Sequence, residues 1–137
     1  MTKYNINQNK EKDIAEYSKK INPKTIKLLK KRITDIMLKK KKYREKDYTV
    51  KDLASDLETN TRYVSSALKI GYNMNYTSFV NRCRVKEAAA MLADKRYRKL
   101  KMEEVSDMVG FSNRQSFYAA FYKFMGTTPR QYKLDNM

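Results

Sequence analysis

Two segments of the sequence begin with side chains that can hydrogen-bond to nucleic-acid bases. The outward positions are Arg62, Ser65, Ser66 and Lys69 in the first segment, and Arg114, Gln115, Tyr118, Ala119 and Tyr122 in the second. Arg matches guanine O6 and N7, Gln matches adenine N6 and N7, Ser can bond to either base, and Tyr can reach bases or backbone. These residue types favour noncovalent recognition of a nucleic acid.

Catalysis finds little support in the composition. The chain has no histidine and only one cysteine, Cys83, so a Ser-His-Asp or Cys-His site cannot form within it. Its three glycines are scattered and cannot build a phosphate-cradling loop. We therefore expect neither an enzyme nor a metal or cofactor site.

The charge of the chain points to a polyanionic partner. Lys and Arg number 31 against 15 acidic residues, which gives a net charge of +16. Nucleic acid is the first candidate partner, and an anionic membrane surface is the second. No apolar run approaches the roughly 18 residues that span a bilayer, and the polar start lacks the apolar segment of a signal peptide. The sequence predicts a cytoplasmic protein without a membrane role.

The scarcity of turn residues, with 3 Gly and 2 Pro in 137 residues, predicts an all-helical fold. Capping residues and apolar spacing divide the chain. We expect a polar, mobile tail over 1–21, a basic amphipathic helix over 22–48 and a first helix-turn-helix over 49–75. A linker helix over 76–93 then leads to a second helix-turn-helix and a terminal helix over 94–134.

The second half of the chain repeats the first at a shift of 53 residues. Phe117 then aligns with Val64, Phe121 with Leu68, and Gly126 with Asn73. Asn is the next-best residue after Gly for a left-handed backbone, so both helices are predicted to end alike. The apolar residues of each helix share one face, which predicts a buried side and an outward reading side. A short helix, a turn and such a second helix make up the helix-turn-helix design, which places the second helix in the major groove.

Residues 49–134 resemble the DNA-binding domain of the AraC/XylS family of bacterial transcription regulators. The most specific stretch is VSDMVGFSNRQSFYAAFYKFMGTTPRQY, with its Gly-Phe-Ser, Phe-x-x-x-Phe and Gly-x-x-Pro-x-x-Tyr motifs. Glu58 and Asn73 depart from the pattern, because the family commonly has Gly at both positions.

The resemblance implies seven helices, with two helix-turn-helix units joined by one long helix. Helices 60–69 and 113–124 would read two successive major-groove segments of double-stranded DNA. The implied reading positions are Arg62, Ser65 and Ser66 in the first unit, and Arg114, Gln115, Ser116, Tyr118 and Ala119 in the second. Ala119 could only contact a thymine methyl group.

Other partners and functions stay open at this point. The main alternative is a basic helical protein-interaction module, in which helix 23–41 docks on an acidic partner such as a receiver domain or RNA polymerase. A sensor or receiver domain in a longer parent chain is a further candidate partner. An RNA binder would need an exposed aromatic platform, whereas the rings here are predicted to be core.

Overall fold

Helices are the regular elements of residues 12–137, the part of the chain that the computed structural model describes, and no strand occurs there. Contacts divide these residues into two compact units. The first holds 12–39 and Tyr48–Phe79, and the second holds Lys40–Asp47 and Val80–Met137. The α-helices are α1 (12–19), α2 (Pro23–Thr34), α3 (Val50–Asp56), α4 (Thr61–Tyr72), α5 (Tyr76–Leu92), α6 (Met102–Val109), α7 (Arg114–Met125) and α8 (Pro129–Asn136). The all-α prediction is confirmed.

Helix α2 begins where the sequence predicts. The Asn22 side chain accepts a hydrogen bond from the Lys24 N–H at 2.9 Å, and Pro23 occupies the first turn. The helix buries Ile26, Leu29 and Ile33 and packs against α4.

The helix does not continue to residue 48 as predicted. It passes into a π-helical turn, Asp35–Lys39, and a 3₁₀ turn, Lys42–Arg44. The left-handed backbone of Lys41 (φ 52°) separates the two turns, since an α-helix cannot pass through a left-handed residue.

The first helix-turn-helix, α3 and α4, is defined by local capping. Thr49 and Asp52 form a capping box at the start of α3. Asn60 caps α4 by accepting from the Tyr63 N–H at 2.9 Å. Glu58 in the turn and Asn73 at the end of α4 both have a left-handed backbone, with φ of 56° and 54°. The resemblance implies glycine at both positions, so the residue type differs there while the left-handed backbone is retained.

Helix α5 begins in the first unit and continues into the second. The Asn75 side chain caps it, accepting from the Ser78 N–H at 2.8 Å. Phe79, Cys83, Ala88 and Leu92 are among its buried residues. The helix forms where the sequence predicts a long linker.

The second helix-turn-helix, α6 and α7, surrounds a core rich in rings. Phe111, Phe117 and Phe121 are buried there with Val105 and Val109. Gly110 and Gly126 both have a left-handed backbone, with φ of 110° and 72°, which confirms the left-handed end predicted for α7 at Gly126. Asn113 caps α7, and Thr128 caps α8.

A segment preceding both predicted helix-turn-helix units completes the second one. This 40–47 segment places Tyr43 in the core at 5 % exposure. The Tyr43 carbonyl accepts a 2.7 Å hydrogen bond from Arg84 Nε, and Arg44 Nε donates to Glu87 Oε1 at 2.8 Å. Lys46 pairs with Asp107 of α6. The second unit is therefore not continuous in sequence.

Candidate nucleic-acid interface

The first turn of α7 presents three polar side chains in sequence. Arg114, Gln115 and Ser116 are all exposed, whereas Phe117 and Phe121 on the same helix are completely buried. The Asn113 cap holds the Ser116 N–H at 2.8 Å and so fixes where the helix starts. The outward placement that the sequence predicts for Arg114 and Gln115 is confirmed, and Ser116 joins them.

Tyr118 has a mixed environment. It is half-buried and packs against the core, with its ring edge-on to Phe117 at a centroid distance of 5.7 Å. The Arg114 guanidinium lies over the Tyr118 ring, 5.2 Å from its centroid. This separation is within cation–π range. The neighbouring Ala119 and Tyr122 are exposed.

In the first unit, the residues of α4 that were predicted to face outward do so with one exception. Arg62 and Lys69 are exposed and Ser65 is half-buried. Ser66, predicted to face outward, is completely buried at 0 % exposure. Its Oγ has no hydrogen-bond partner among the described residues. A helical wheel with one buried face fails here because α4 is packed by α3 and also by α2.

Helix α1 supplies contacts to Arg62 that sequence reasoning missed. Residues 1–21 were predicted to be a tail; residues 1–11 lie outside the described part, but 12–19 are helical. Arg62 Nη2 lies 3.7 Å from Asp13 Oδ2, and its guanidinium is 5.4 Å from the Tyr17 ring centroid. The spacing of Ile14, Tyr17 and Ile21 was the available signal, since it puts apolar groups on one helical face.

Some cationic side chains bind to groups of the protein itself. Arg84 donates to the Tyr43 and Glu45 carbonyls and lies over the Phe111 ring. Burial of Glu87 raises its pKa, but hydrogen bonds and charge from Arg44 and Lys41 outweigh burial, so the pKa is lowered overall. These groups stabilise the second unit.

Clusters that could hold a metal ion are not found among residues 12–137: no three His, Cys, Asp or Glu side chains come together there. No helix in this part of the chain is long and apolar enough to cross a membrane.

A family model described as a helix-turn-helix domain matches residues 53–134. The chain belongs to the AraC-type helix-turn-helix family. Members of this family are DNA-binding transcription regulators, and the family is not a class of enzymes. The match begins within α3, so α1, α2 and the 40–47 segment of this AraC-type chain lie outside it.

Solved structures share the fold of this AraC-type chain. The C-terminal domain of AraT, a response regulator from Geobacillus stearothermophilus, is 24 % identical with a TM-score of 0.67, over 86 % of this chain and 89 % of that one. The C-terminal domain of the response regulator yesN from Fusobacterium nucleatum is 23 % identical with a TM-score of 0.62, over 78 % and 95 %. A DNA-binding transcriptional dual regulator from Escherichia coli K-12 is 17 % identical with a TM-score of 0.65, over 79 % and 91 %. No curated protein gives a significant sequence match.

Proposed function

We propose that this chain binds double-stranded DNA sequence-specifically and regulates transcription in the bacterial cytoplasm. Helices α4 and α7 are the two reading helices, and each enters a major groove. The observation that carries the proposal is the exposed Arg114-Gln115-Ser116 turn on a helix whose other side is anchored by buried Phe117 and Phe121. Because a rigid core holds these side chains, their donors and acceptors can meet base edges in a defined register.

Affinity and specificity come from different groups in this proposal. Exposed Lys and Arg side chains and helix N-termini contact phosphates and provide most of the affinity, which falls as salt rises. Arg62, Arg114 and Gln115 contact base edges and provide specificity, with Ser65, Ser116, Tyr118 and Ala119 as weaker contributors. Ser66 has no reading role because its side chain is buried.

The test replaces Gln115 by Ala and measures binding to a selected duplex and to a scrambled duplex. A bidentate base contact supports discrimination of about 1–3 kcal/mol, which is roughly a 5- to 150-fold change in affinity. We expect such a loss on the selected duplex and little change on the scrambled one. Lys123→Ala, at an exposed position in the last turn of the same helix, is the matched control. Equal weakening on both duplexes for Gln115→Ala would show that Gln115 contacts only the backbone.

A second candidate function is the docking of an acidic protein on α2, for which RNA polymerase or a sensor or receiver domain would be partners. Leu28 is 58 % exposed and shares a surface depression with Lys24, Lys27 and Lys31. An exposed apolar residue that is surrounded by three lysines is complementary to an acidic protein surface that carries an apolar side chain.

Substitutions at the surface of α2 separate the two functions without removing its core residues. If α2 docks RNA polymerase, Leu28→Ala with Lys27→Glu will leave operator binding unchanged and reduce transcription by purified RNA polymerase in vitro. Unchanged transcription from the bound promoter would contradict this second function.

A further inference from the structure

The guanidinium of Arg62 is contacted by two side chains of α1, an element that lies outside the family match. Asp13 Oδ2 is 3.7 Å from Arg62 Nη2, and the Tyr17 ring centroid is 5.4 Å from Arg62 Cζ. A carboxylate and a ring face restrict where a guanidinium can point. Arg62 is therefore more ordered than an exposed Arg on an isolated helix.

The ring that supports Arg62 is itself fixed. Tyr17 lies edge-on to Tyr63 of α4, with centroids 5.7 Å apart and an interplanar angle of 81°. Ile21, which follows α1, is buried. These contacts join α1 to the reading helix of the same unit.

The Arg62 side chain stays accessible despite these contacts. Its side chain is 58 % exposed, as is that of Asp13. Residues 12–20 carry Lys12, Lys19 and Lys20 against Asp13 and Glu16, a net charge of +1, so this stretch does not repel phosphates as a whole. The exposure of Arg62 and the net charge of residues 12–20 both indicate that α1 orders the Arg62 side chain and leaves it accessible to DNA.

The second unit also places an arginine of its reading helix over a tyrosine ring, but at another position, because Arg62 aligns with Gln115 at the 53-residue shift and Arg114 aligns with Thr61. Arg114 lies 5.2 Å from the centroid of the Tyr118 ring, which is four residues further along the same helix. At the 53-residue shift, Tyr118 aligns with Ser65, which has no ring. In the first unit, the ring comes from α1 instead.

We propose that Tyr17 and Asp13 are positioning residues for Arg62, so that α1 forms part of the first DNA-reading surface. The proposal rests on the proposed function, in which Arg62 reads a base. A pre-ordered guanidinium loses less side-chain freedom on binding, and its two donors approach guanine at a fixed angle. Tyr17 and Asp13 need not touch DNA themselves.

The test uses a selected duplex and a panel in which each base pair is substituted in turn. Arg62→Ala first identifies the base pair that Arg62 reads. Tyr17→Leu removes the ring and keeps an apolar side chain, Tyr17→Phe keeps the ring, and Asp13→Asn removes the charge. Glu16→Gln is the matched control, since it removes a charge from an exposed acid of the same helix.

Tyr17→Leu is expected to weaken binding to the selected duplex about 2- to 10-fold, because an unsupported Arg62 side chain must then lose its freedom on binding. The lost discrimination should fall on the base pair that Arg62→Ala identifies, with Asp13→Asn showing a smaller loss at that pair. Tyr17→Phe and Glu16→Gln should bind normally. The double variant Tyr17→Leu with Arg62→Ala should bind the selected duplex no more weakly than Arg62→Ala alone, because Tyr17 acts only through Arg62.

Four results would overturn the proposal. Tighter binding by Tyr17→Leu would mean that α1 shields Arg62. Equal losses at every base pair, or additive losses in the double variant, would mean that α1 only supports the fold, and thermal unfolding of Tyr17→Leu would show the lost stability directly. If Arg62→Ala itself alters no base preference, the base-reading assignment fails along with this proposal, and that result is visible before any α1 variant is measured.

Discussion

Replacing Gly110 by Ala tests how the turn before α7 is held. Both Gly110 and Gly126 have left-handed backbones, where a side chain costs about 1–2 kcal/mol. At Gly110, an added Cβ would also lie 2.5 Å from the Tyr43 carbonyl oxygen and 2.8 Å from that of Arg44. These are backbone atoms, so the 40–47 segment would have to move, at a further cost of about 1–3 kcal/mol for overpacking. The total for Gly110→Ala is therefore about 2–5 kcal/mol.

Gly126→Ala is the matched control for this substitution. An added Cβ there meets nothing within 4 Å, so only the backbone strain applies. Alanine also lowers the entropy of the unfolded chain, which offsets about 0.4–1 kcal/mol in both variants, so the difference between them reports the cost of overpacking. The measurement is urea unfolding of both variants by circular dichroism. We expect Gly110→Ala to lose at least about 1 kcal/mol more than Gly126→Ala, and equal losses would refute the packing of the 40–47 segment against this turn.

Truncation, acid titration and thiol labelling test the packing and the ionisation of buried groups in the two units. A chain that starts at residue 48 should lose its cooperative thermal transition, because α2 and the 40–47 segment supply several buried side chains worth about 1.5–3 kcal/mol each; an unchanged transition would contradict their place in the core. Because the pKa of Glu87 is lowered, its ionised form stabilises the fold; this contribution is fully present above pH 4.5, the ordinary pKa, and is lost as the pH falls through the lowered pKa. Glu87→Gln should therefore show a smaller acid-induced drop in melting temperature than the parent. An identical drop would count against the ion pairs of Glu87 with Arg44 and Lys41. Burial raises the pKa of the Cys83 thiol to about 11 and leaves it 6 % exposed, so iodoacetamide at neutral pH should label it far more slowly in the native chain than in urea, whereas equal rates would place Cys83 at the surface.

The starts of several helices could be predicted from the sequence because N-terminal capping is local. Asn60, Asn113 and Thr128 each accept a hydrogen bond from a backbone N–H three residues further on, so the signal and its partner lie in the same short window. The outward placement of Arg114 and Gln115 was predictable for a similar reason, since α7 has one ring-rich buried face.

The contacts that the sequence did not reveal join distant residues. Ser66 is buried on α4, a helix that packs against α3 and also against the more distant α2. Tyr43 enters the core of a unit whose other elements begin at Val80. Tyr17 reaches Arg62 from a helix with few apolar residues. Periodicity describes one helix at a time and cannot say which helices meet.

The central claim is sequence-specific reading of DNA by two helices, and selection from a random duplex library tests it most directly. The selected duplex and a scrambled duplex are then compared across a salt series. We expect two short enriched blocks about one helical turn (~10 bp) apart and a specificity ratio of at least ~10³. No enriched sequence, with both affinities falling alike as salt rises, would mean that charge alone drives binding and would contradict the account.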